Sequence, residues 1–272
     1  MKTILDTITA YKRKEVENQK ALYPTQLLEK SIYFETAVVS LVEFLKRPDM
    51  QGIIAEFKRQ SPSKGIINSY AKVEEVSIGY MQAGASALSV LTDNHFFGGS
   101  TNDLIEARTF NYAPILNKNF VIDEYQIVEA KSIGADVVLL IAECLTKQEL
   151  KRLAQFAKGL GMEVLMELHT QEQLEKVCPE VDLVGVNNRN LKTFEVDLEN
   201  SLRIAEQLPV DVVKVAESGI NNPDTVVLLQ QHGFEGFLIG EYFMKHARPQ
   251  EACARFIQQV AQKNSKIIQY ES

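Results

Sequence analysis

The feature that most constrains this chain is an alternation of short apolar runs with helical segments, repeated eight times after residue 52. The apolar runs have strand length and lie at 53–58, 87–92, 113–118, 136–142, 163–168, 182–188, 212–218 and 236–241. The helical segments that follow them lie at 73–82, 102–109, 123–132, 147–158, 171–177, 198–207, 224–231 and 249–262. Eight such units predict an α/β fold of the (β/α)8 TIM-barrel type, since neighbouring parallel strands need a helical crossover.

An open, doubly wound sheet is the competing architecture. It usually has fewer strands, and no glycine-rich dinucleotide fingerprint follows the first apolar run. Residues 1–48 show helical patterns at about 1–20 and 34–46 with no strand beside them. We therefore predict a single domain in which an N-terminal helical extension, 1–48, packs on a barrel formed by 49–272.

Composition narrows the classes of partner. The formal charge of −7 argues against nucleic acid and anionic membranes, because both require a basic surface. The three cysteines have no paired spacing, and the chain shows neither a signal-peptide core nor an apolar run of membrane-spanning length. We expect a cytoplasmic protein that binds neither nucleic acid nor membranes, although a local basic pocket could still hold an anionic small molecule.

The stretch 53–65, IIAEFKRQSPSKG, combines the first apolar run with charged and hydroxyl side chains. Glu56 and Lys58 are two residues apart, so strand alternation places them on one face. The loop after them offers Ser61, other hydroxyls, a cation and free backbone amides, which suit an anionic substrate. A surface ion pair beside an ordinary turn is the structural alternative.

Active sites of barrels lie at the C-terminal ends of the strands, so the residue types found there are informative. The predicted strands end in Glu56 and Lys58, Thr92, Lys118, Glu167, Asn187 and Arg189, and Glu217 and Ser218. Any one of these could form a structural ion pair, but two lysines and three carboxylates from four strands favour a catalytic site. Gly219 and Gly240 follow the last two strands, where barrels commonly bind phosphate.

The four histidines show no metal-ligand spacing, and no Ser or Cys nucleophile motif is present. We therefore expect Lys and Glu acid–base chemistry without a metal or other cofactor.

These motifs, taken in order, resemble the indole-3-glycerol phosphate synthase family of tryptophan biosynthesis. The resemblance covers most of the chain and rests on IIAEFKRQSPSKG, ALSVLTDNHFFGGS, PILNKNFVIDEYQIVEAKSIGADVVLLI, VLMELH, VGVNNRNLKTFEVD, VAESGI and FLIGEYFM. The N-terminal ILDTITAYKRKEVENQK also resembles the helix that this family places before its barrel.

The resemblance implies a carboxy-lyase that closes an indole ring on 1-(2-carboxyphenylamino)-1-deoxyribulose 5-phosphate and releases carbon dioxide and water. It makes Lys118 the acid of ring closure and gives Lys58 and Glu167 roles in dehydration, with Glu56 holding Lys58. The implied catalytic residues are Glu56, Lys58, Lys118, Glu167, Asn187 and Glu217.

The resemblance also implies binding residues and partners. Substrate binding is assigned to Ser61, Phe120, Leu140 and Arg189, with Phe120 and Leu140 walling the anthranilate ring. Phosphate binding is assigned to Ser218, Gly219, Gly240 and Glu241. We expect a monomer with a phosphosugar substrate, and contact with other enzymes of the tryptophan pathway is compatible with this assignment.

Some positions depart from the family pattern. Asn117 and Asn119 flank Lys118 where many relatives have charged residues, while Phe57, Gly99 and Tyr242 also differ. We expect Phe57 to face outward and to require only repacking. Two alternatives remain open: another phosphosugar barrel, such as an isomerase or a Schiff-base aldolase, and a non-catalytic barrel that binds phosphometabolites or docks to a pathway enzyme.

Overall fold

The fold is a closed barrel of eight parallel strands, as the alternating pattern predicts. The computed structural model describes residues 4–189 and 196–271. The strands are β1 Ile53–Phe57, β2 Ala87–Leu91, β3 Ile115–Lys118, β4 Val137–Ile141, β5 Glu163–Leu168, β6 Leu183–Asn187, β7 Val213–Glu217 and β8 Gly236–Ile239. Strand β1 pairs in parallel with both β2 and β8, which closes the barrel.

Helices surround the barrel and follow most strands. They are α1 Ile4–Leu22, α2 Thr25–Leu28, α3 Leu41–Leu45, α4 Val73–Gln82, α5 Thr101–Phe110, α6 Glu124–Ser132, α7 Lys147–Gly159, α8 Leu198–Ala205, α9 Pro223–Gln231, α10 Glu241–Met244 and α11 Pro249–Glu271. The predicted helix at 171–177 is a 3-10 helix, Gln171–Lys176. Thr146 and Asn222 cap the helices that begin after them, because each side-chain oxygen accepts a backbone N–H of the first turn.

The strands are buried on both faces, and their side chains divide into two hydrophobic layers. Ile54, Leu139 and Leu165 belong to the layer inside the barrel. Alternating residues such as Phe57 point outward and pack under the helices. The outward orientation expected for Phe57 is confirmed, and the Arg59 guanidinium lies 4.7 Å from the centre of its ring.

The N-terminal extension contacts both ends of the barrel. Leu5 and Ile8 of α1 join the inner hydrophobic layer, as do Leu41 and Leu45 of α3. A Cβ at Gly236, the first residue of β8, would lie 3.1 Å from Leu45 Cδ1, so α3 covers the N-terminal end of the barrel. The extension therefore contributes apolar surface to the barrel core.

The predicted helix at 34–46 is wrong over most of its length, since only Leu41–Leu45 is α-helical there. Buried carboxylates at the starts of two strands explain the difference. Asp136 Oδ1 accepts the backbone N–H of Val39 at 2.8 Å, and Glu163 Oε2 accepts that of Leu41 at 2.7 Å. These tertiary hydrogen bonds hold the segment before α3 in an extended path that helical periodicity does not reveal.

Within residues 4–189 and 196–271, no helix is long and apolar enough to cross a bilayer. The same residues contain no group of three or more His, Cys, Asp or Glu side chains placed to hold a metal ion.

Candidate active site

A cavity of about 460 Å³ opens at the C-terminal ends of the barrel strands. Its walls carry charged residues from several strands, apolar residues of α1 and the loops that follow β7 and β8. This is the end of the fold at which (β/α)8 enzymes hold their active sites. Apart from Thr92, the polar residues predicted at the strand ends therefore converge on one cavity.

The first charged pair comes from β1 and the residue that follows it. Lys58 Nζ lies 2.6 Å from Glu56 Oε1, as alternation along the strand predicts. The carboxylate is buried, and its other oxygen lies 3.4 Å from Ser89 Oγ. Gly240 provides the space for it, because a Cβ at that position would lie 2.4 Å from Glu56 Oε1.

The second cluster joins four strands around one ammonium group. Lys118 Nζ of β3 lies 2.9 Å from Glu167 Oε2 of β5 and 2.7 Å from Glu217 Oε2 of β7. Asn187 of β6 donates from Nδ2 to Glu167 Oε1 at 2.9 Å. Two carboxylates therefore share one lysine in a largely buried site.

Burial and neighbouring charges shift the pKa values of Lys118, Glu167 and Glu217 in different ways. Burial opposes a charge on Lys118, but Glu167 and Glu217 outweigh it and raise the pKa of the lysine. Burial also opposes ionisation of Glu167, yet Lys118 lowers the pKa of that carboxyl well below its usual range. At Glu217 burial exceeds the effect of Lys118 and raises the pKa to about 7. The cluster thus combines a charged acid, an ionised carboxylate and a carboxyl that titrates near neutral pH.

The space around Glu217 depends on a glycine of the neighbouring strand. A Cβ at Gly185 of β6 would lie 2.1 Å from Glu217 Oε1. This buried oxygen has no hydrogen-bond partner among the described residues. A buried acceptor without a hydrogen-bond partner costs free energy of folding. Such an acceptor is typical of a group that hydrogen-bonds a ligand.

The loops after β7 and β8 form one side of the cavity. Ser218 and Gly219 have positive φ angles of 67° and 73°. Such a conformation is unusual for a serine and indicates a backbone shaped for a specific contact. Gly240 ends the β8 turn and is followed by the short helix α10. Together these residues line the same cavity as the charged clusters.

A family model described as Indole-3-glycerol phosphate synthase matches residues 5–256. The chain belongs to this family. Its members are carboxy-lyases, and the family is one of tryptophan biosynthesis. The family and the enzyme class that the sequence motifs predict are therefore confirmed.

Proteins named indole-3-glycerol phosphate synthase from several bacteria are similar over almost the whole chain. The protein of Bacteroides thetaiotaomicron is 49% identical over 96% of this chain and 100% of its own length. The protein of Salinibacter ruber is 43% identical over 93% of this chain and 94% of its own. The protein of Acinetobacter baumannii is 42% identical, with 92% and 94% covered.

Solved structures of more distant proteins share the barrel. A mutant tryptophan synthase alpha-subunit from Pyrococcus furiosus has a TM-score of 0.57 at 14% identity, with 78% of this chain and 98% of that chain covered. An N-acetylmannosamine-6-phosphate 2-epimerase from Clostridium perfringens has a TM-score of 0.59 at 16% identity, with 80% and 95% covered. These likenesses show the fold alone.

The remaining residues that the family resemblance singles out lie in different places. Ser61 and Phe120 line the cavity, and the Phe120 ring lies 5.8 Å from that of Phe97. Arg189 lies on the rim, where it donates to Ser63 Oγ at 3.3 Å and reaches Glu241 Oε2 at 3.4 Å. Residues 190–195, which belong to the sixth-strand motif, lie outside the described residues.

The placement predicted for Leu140 is wrong. Leu140 is fully buried in the outer hydrophobic layer under the helices, and it does not line the cavity. Its neighbours Leu139 and Ile141 face inward and line the cavity instead. Strand alternation explains the correction, since residues one position apart point to opposite faces.

The contacts of the Glu241 carboxylate do not fit the phosphate-binding role predicted for this residue. Its carboxylate lies 3.8 Å from Lys64 Nζ and 3.4 Å from Arg189 Nη2, so it is a counter-ion to two cations at the rim. A carboxylate repels phosphate, whereas the backbone N–H of Glu241 can donate to it. Lys245, which the sequence did not single out, also lines this side, with its Nζ 4.8 Å from the centre of the Tyr242 ring.

Two of the departures from the family pattern, Asn117 and Asn119, hydrogen-bond to a hydroxyl rather than adding charge beside Lys118. Thr92 Oγ1 donates to Asn117 Oδ1 at 2.7 Å. It also accepts from Asn119 Nδ2 at 2.8 Å. The buried Thr92 hydroxyl therefore links the two amide side chains by hydrogen bonds. A Cβ at Gly99 would lie 2.0 Å from the carbonyl oxygen of Leu91, so this loop requires glycine.

The sequence also gave no indication that the extension forms part of the cavity wall. Ile4, Leu5 and Ile8 of α1 line the cavity. A buried ion pair, Lys12 Nζ to Asp93 Oδ2 at 2.7 Å, ties α1 to the loop after β2. The apolar stripe of α1 is visible in the sequence, but a stripe that packs on a core and one that lines a cavity look alike.

His169 is a further cavity residue that the sequence did not reveal. It follows β5 and stands two residues after Glu167, the spacing that places Glu56 and Lys58 together. That spacing is the only signal that could have singled it out.

Proposed function

We propose that this protein converts 1-(2-carboxyphenylamino)-1-deoxyribulose 5-phosphate to indole-3-glycerol phosphate by Lys and Glu acid–base catalysis. The observation that carries the proposal is the position of Lys118 between Glu167 and Glu217 in the same cavity as the Lys58–Glu56 pair. Family membership supports the overall reaction. The individual steps below follow from the chemistry of these side chains.

Ring closure needs an acid at the ketone of the sugar. The aromatic carbon that bears the carboxylate attacks the carbonyl carbon, and the carbonyl electron pair moves to oxygen. Lys118 gives that oxygen a proton, so the charge that develops there is neutralised. The raised pKa of Lys118 keeps this acid charged at neutral pH. The cationic ring that results is stabilised by the adjacent carboxylates.

Loss of carbon dioxide and water then completes the indole. The electrons of the carbon–carboxylate bond return to the ring and restore its aromaticity. Lys58 protonates the departing hydroxyl, and Glu167 removes a proton from the carbon beside the nitrogen. The new double bond forms between these two carbons. Glu56 holds Lys58 in place through the ion pair between them.

The phosphate is assigned to the loops after β7 and β8. Backbone N–H groups near Gly219 and Gly240 suit a dianion, because a glycine has no side chain of its own to keep a phosphate away from the backbone. Arg189, Lys64 and Lys245 add positive charge at this rim of an otherwise acidic protein. A bound phosphate would compete with the Glu241 carboxylate for Arg189 and Lys64.

The test is to incubate the purified protein with the carboxyphenylamino sugar phosphate, without added metal, and to follow the absorbance and fluorescence of the indole product. The expected result is turnover that Lys118→Ala reduces by about 10²–10⁴-fold, the usual contribution of a positioned acid. Lys46→Ala, which changes an exposed lysine after α3, is the matched control and should keep the wild-type rate. A wild-type protein without product would refute the proposed function, and a Lys118→Ala variant with near-native kcat would refute the mechanism.

The monomeric state, the cytoplasmic location and contact with pathway enzymes stay predictions from the sequence. Light scattering of the purified protein measures the first directly.

A further inference from the structure

His169 is held firmly at the edge of the cavity. Its backbone N–H donates to Gln173 Oε1 at 2.7 Å, and its carbonyl oxygen accepts from Asn200 Nδ2 at 3.4 Å. The side chain is 7% exposed and lines the cavity. An imidazole fixed in this way has few orientations open to it.

The imidazole of His169 lies close to Glu167 but does not form a hydrogen bond with it. His169 Nε2 lies 3.2 Å from Glu167 Oε1, but the approach is poorly aligned, and neither ring nitrogen has a hydrogen-bond partner among the described residues. Burying two unpaired ring nitrogens is costly. The short distance shows that a small rotation of either side chain would pair Nε2–H with Glu167.

The two oxygens of Glu167 have different surroundings. Oε2 contacts Lys118, and Oε1 accepts from Asn187 Nδ2 at 2.9 Å. If Lys118 turns toward the substrate to release its proton, Glu167 loses part of its positive partner in a buried site. A second donor on Oε1 would then keep the carboxylate ionised and correctly oriented.

We propose that His169 is a positioning residue for Glu167, donating from Nε2–H to Oε1 so that the carboxylate keeps its orientation and charge while Lys118 serves the substrate. The proposal rests on the proposed function for the role of Glu167 as a base. No proton is transferred to or from the imidazole. Among the described residues, Lys118, Glu217 and Cys144 are ionisable groups that interact with Glu167, and burial raises the pKa of the Cys144 thiol to about 11.

The experiment compares His169→Leu, which keeps the bulk without a donor, with His169→Gln, whose amide can replace Nε2–H. In His169→Leu we expect kcat to fall about 10–100-fold with KM within about twofold, the size of effect typical when a supporting hydrogen bond is lost. His169→Gln should recover most of this loss. The acidic limb of the kcat profile should move to higher pH in His169→Leu, because the carboxylate loses a stabilising donor.

Two further measurements separate this role from packing and from failure of the proposed function. His232→Leu, an exposed histidine after α9 at the other end of the barrel, is the matched control and should retain wild-type kcat. Carbon-13 NMR of the Glu167 carboxyl, assigned by its absence in Glu167→Gln, should show a raised pKa in His169→Leu without any turnover. If the wild type forms no product, the proposed function fails and the NMR titration alone decides about His169.

Equal losses in His169→Leu and His169→Gln would overturn the proposal, since they would indicate packing alone. An unchanged Glu167 titration in His169→Leu would overturn it as well.

Discussion

Buried carboxylates lie at both ends of the barrel, but their partners differ. At the N-terminal end, Asp136 accepts from the backbone N–H groups of Val39 and Ile115, at 2.8 and 2.7 Å. Glu163 accepts from the Leu41 N–H at 2.7 Å and from a serine hydroxyl. Asp136 also pairs with the Arg108 guanidinium, but this cation is itself held in place by three backbone carbonyl oxygens. The partners at this end are therefore fixed.

At the C-terminal end, Glu167 and Glu217 share the ammonium of Lys118 beside a cavity. Lysine side chains can move, and Glu217 Oε1 has no partner among the described residues. The comparison teaches that burial of a carboxylate does not by itself mark a catalytic group. A carboxylate that holds backbone N–H groups stabilises the fold, whereas one paired with a mobile cation at a cavity is available for chemistry.

The largest expected effect is on turnover at the C-terminal end. Glu167→Gln keeps the size of the side chain but removes the base and the charge beside Lys118. We expect kcat to fall about 10²–10⁴-fold, with only a moderate loss of stability, because Lys118 keeps Glu217 as a charged partner. Steady-state kinetics and a thermal unfolding curve on the same preparation measure turnover and stability. A near-native kcat would contradict the assignment of chemistry to the C-terminal end of the barrel.

The next effect concerns the space that Gly185 leaves for Glu217. A Cβ at this position would lie 2.1 Å from Glu217 Oε1, so Gly185→Ala must displace the carboxylate. A misplacement of about 1 Å can cost about 10²-fold in rate, and we expect a loss of that order. Gly159→Ala is the matched control, because nothing lies within 4 Å of a Cβ there. Equal kcat values for the two variants would show that the position of Glu217 does not matter.

At the N-terminal end the expected effect is on stability. Glu163→Ala leaves the buried Leu41 N–H without its acceptor, which should lower the free energy of unfolding by about 1–3 kcal/mol. Urea unfolding measures this change. The value of kcat at a temperature where the variant is folded should stay at the wild-type level, so a large kinetic defect would contradict a purely structural role.

The smallest effect is a dependence of stability on pH. Burial raises the pKa of Glu217 from 4.5 to about 7, so the folded protein binds more protons than the unfolded chain between these values. The stability that Glu217 contributes is therefore fully present below pH 4.5 and is lost as pH rises to about 7. Glu217→Gln should show a smaller drop in unfolding free energy between pH 5 and pH 7 than the wild type. An equal or larger drop would mean that Glu217 ionises normally.

The sequence predicted the barrel and the Glu56–Lys58 pair because each has a local signal. A charged residue in an otherwise apolar strand shows which alternate positions face the cavity. Strand β4 has no such marker, since 136–142 reads DVVLLIA and is apolar on both faces. The orientation of Leu140 could therefore not be predicted from the sequence. The register with β5 sets it: Ile141 pairs with the cavity-facing Glu167, so Leu140, one residue earlier, points to the opposite face.

Other features depend on groups that are distant in the chain. The path of 34–40 is set by two carboxylates about a hundred residues later, and these override its helical pattern. The contact between His169 and Glu167 depends on side-chain orientation after the end of β5. Such tertiary effects leave no periodic trace in the sequence.

The most direct test measures kcat and unfolding free energy for Glu167→Gln and Glu163→Ala side by side, with the carboxyphenylamino sugar phosphate as substrate. The expected result is that Glu167→Gln loses turnover and stays folded at the assay temperature, while Glu163→Ala loses stability and keeps its turnover. If folded Glu163→Ala lost turnover as well, or if Glu167→Gln kept its turnover, the assignment of chemistry to the C-terminal end and stability to the N-terminal end would be contradicted.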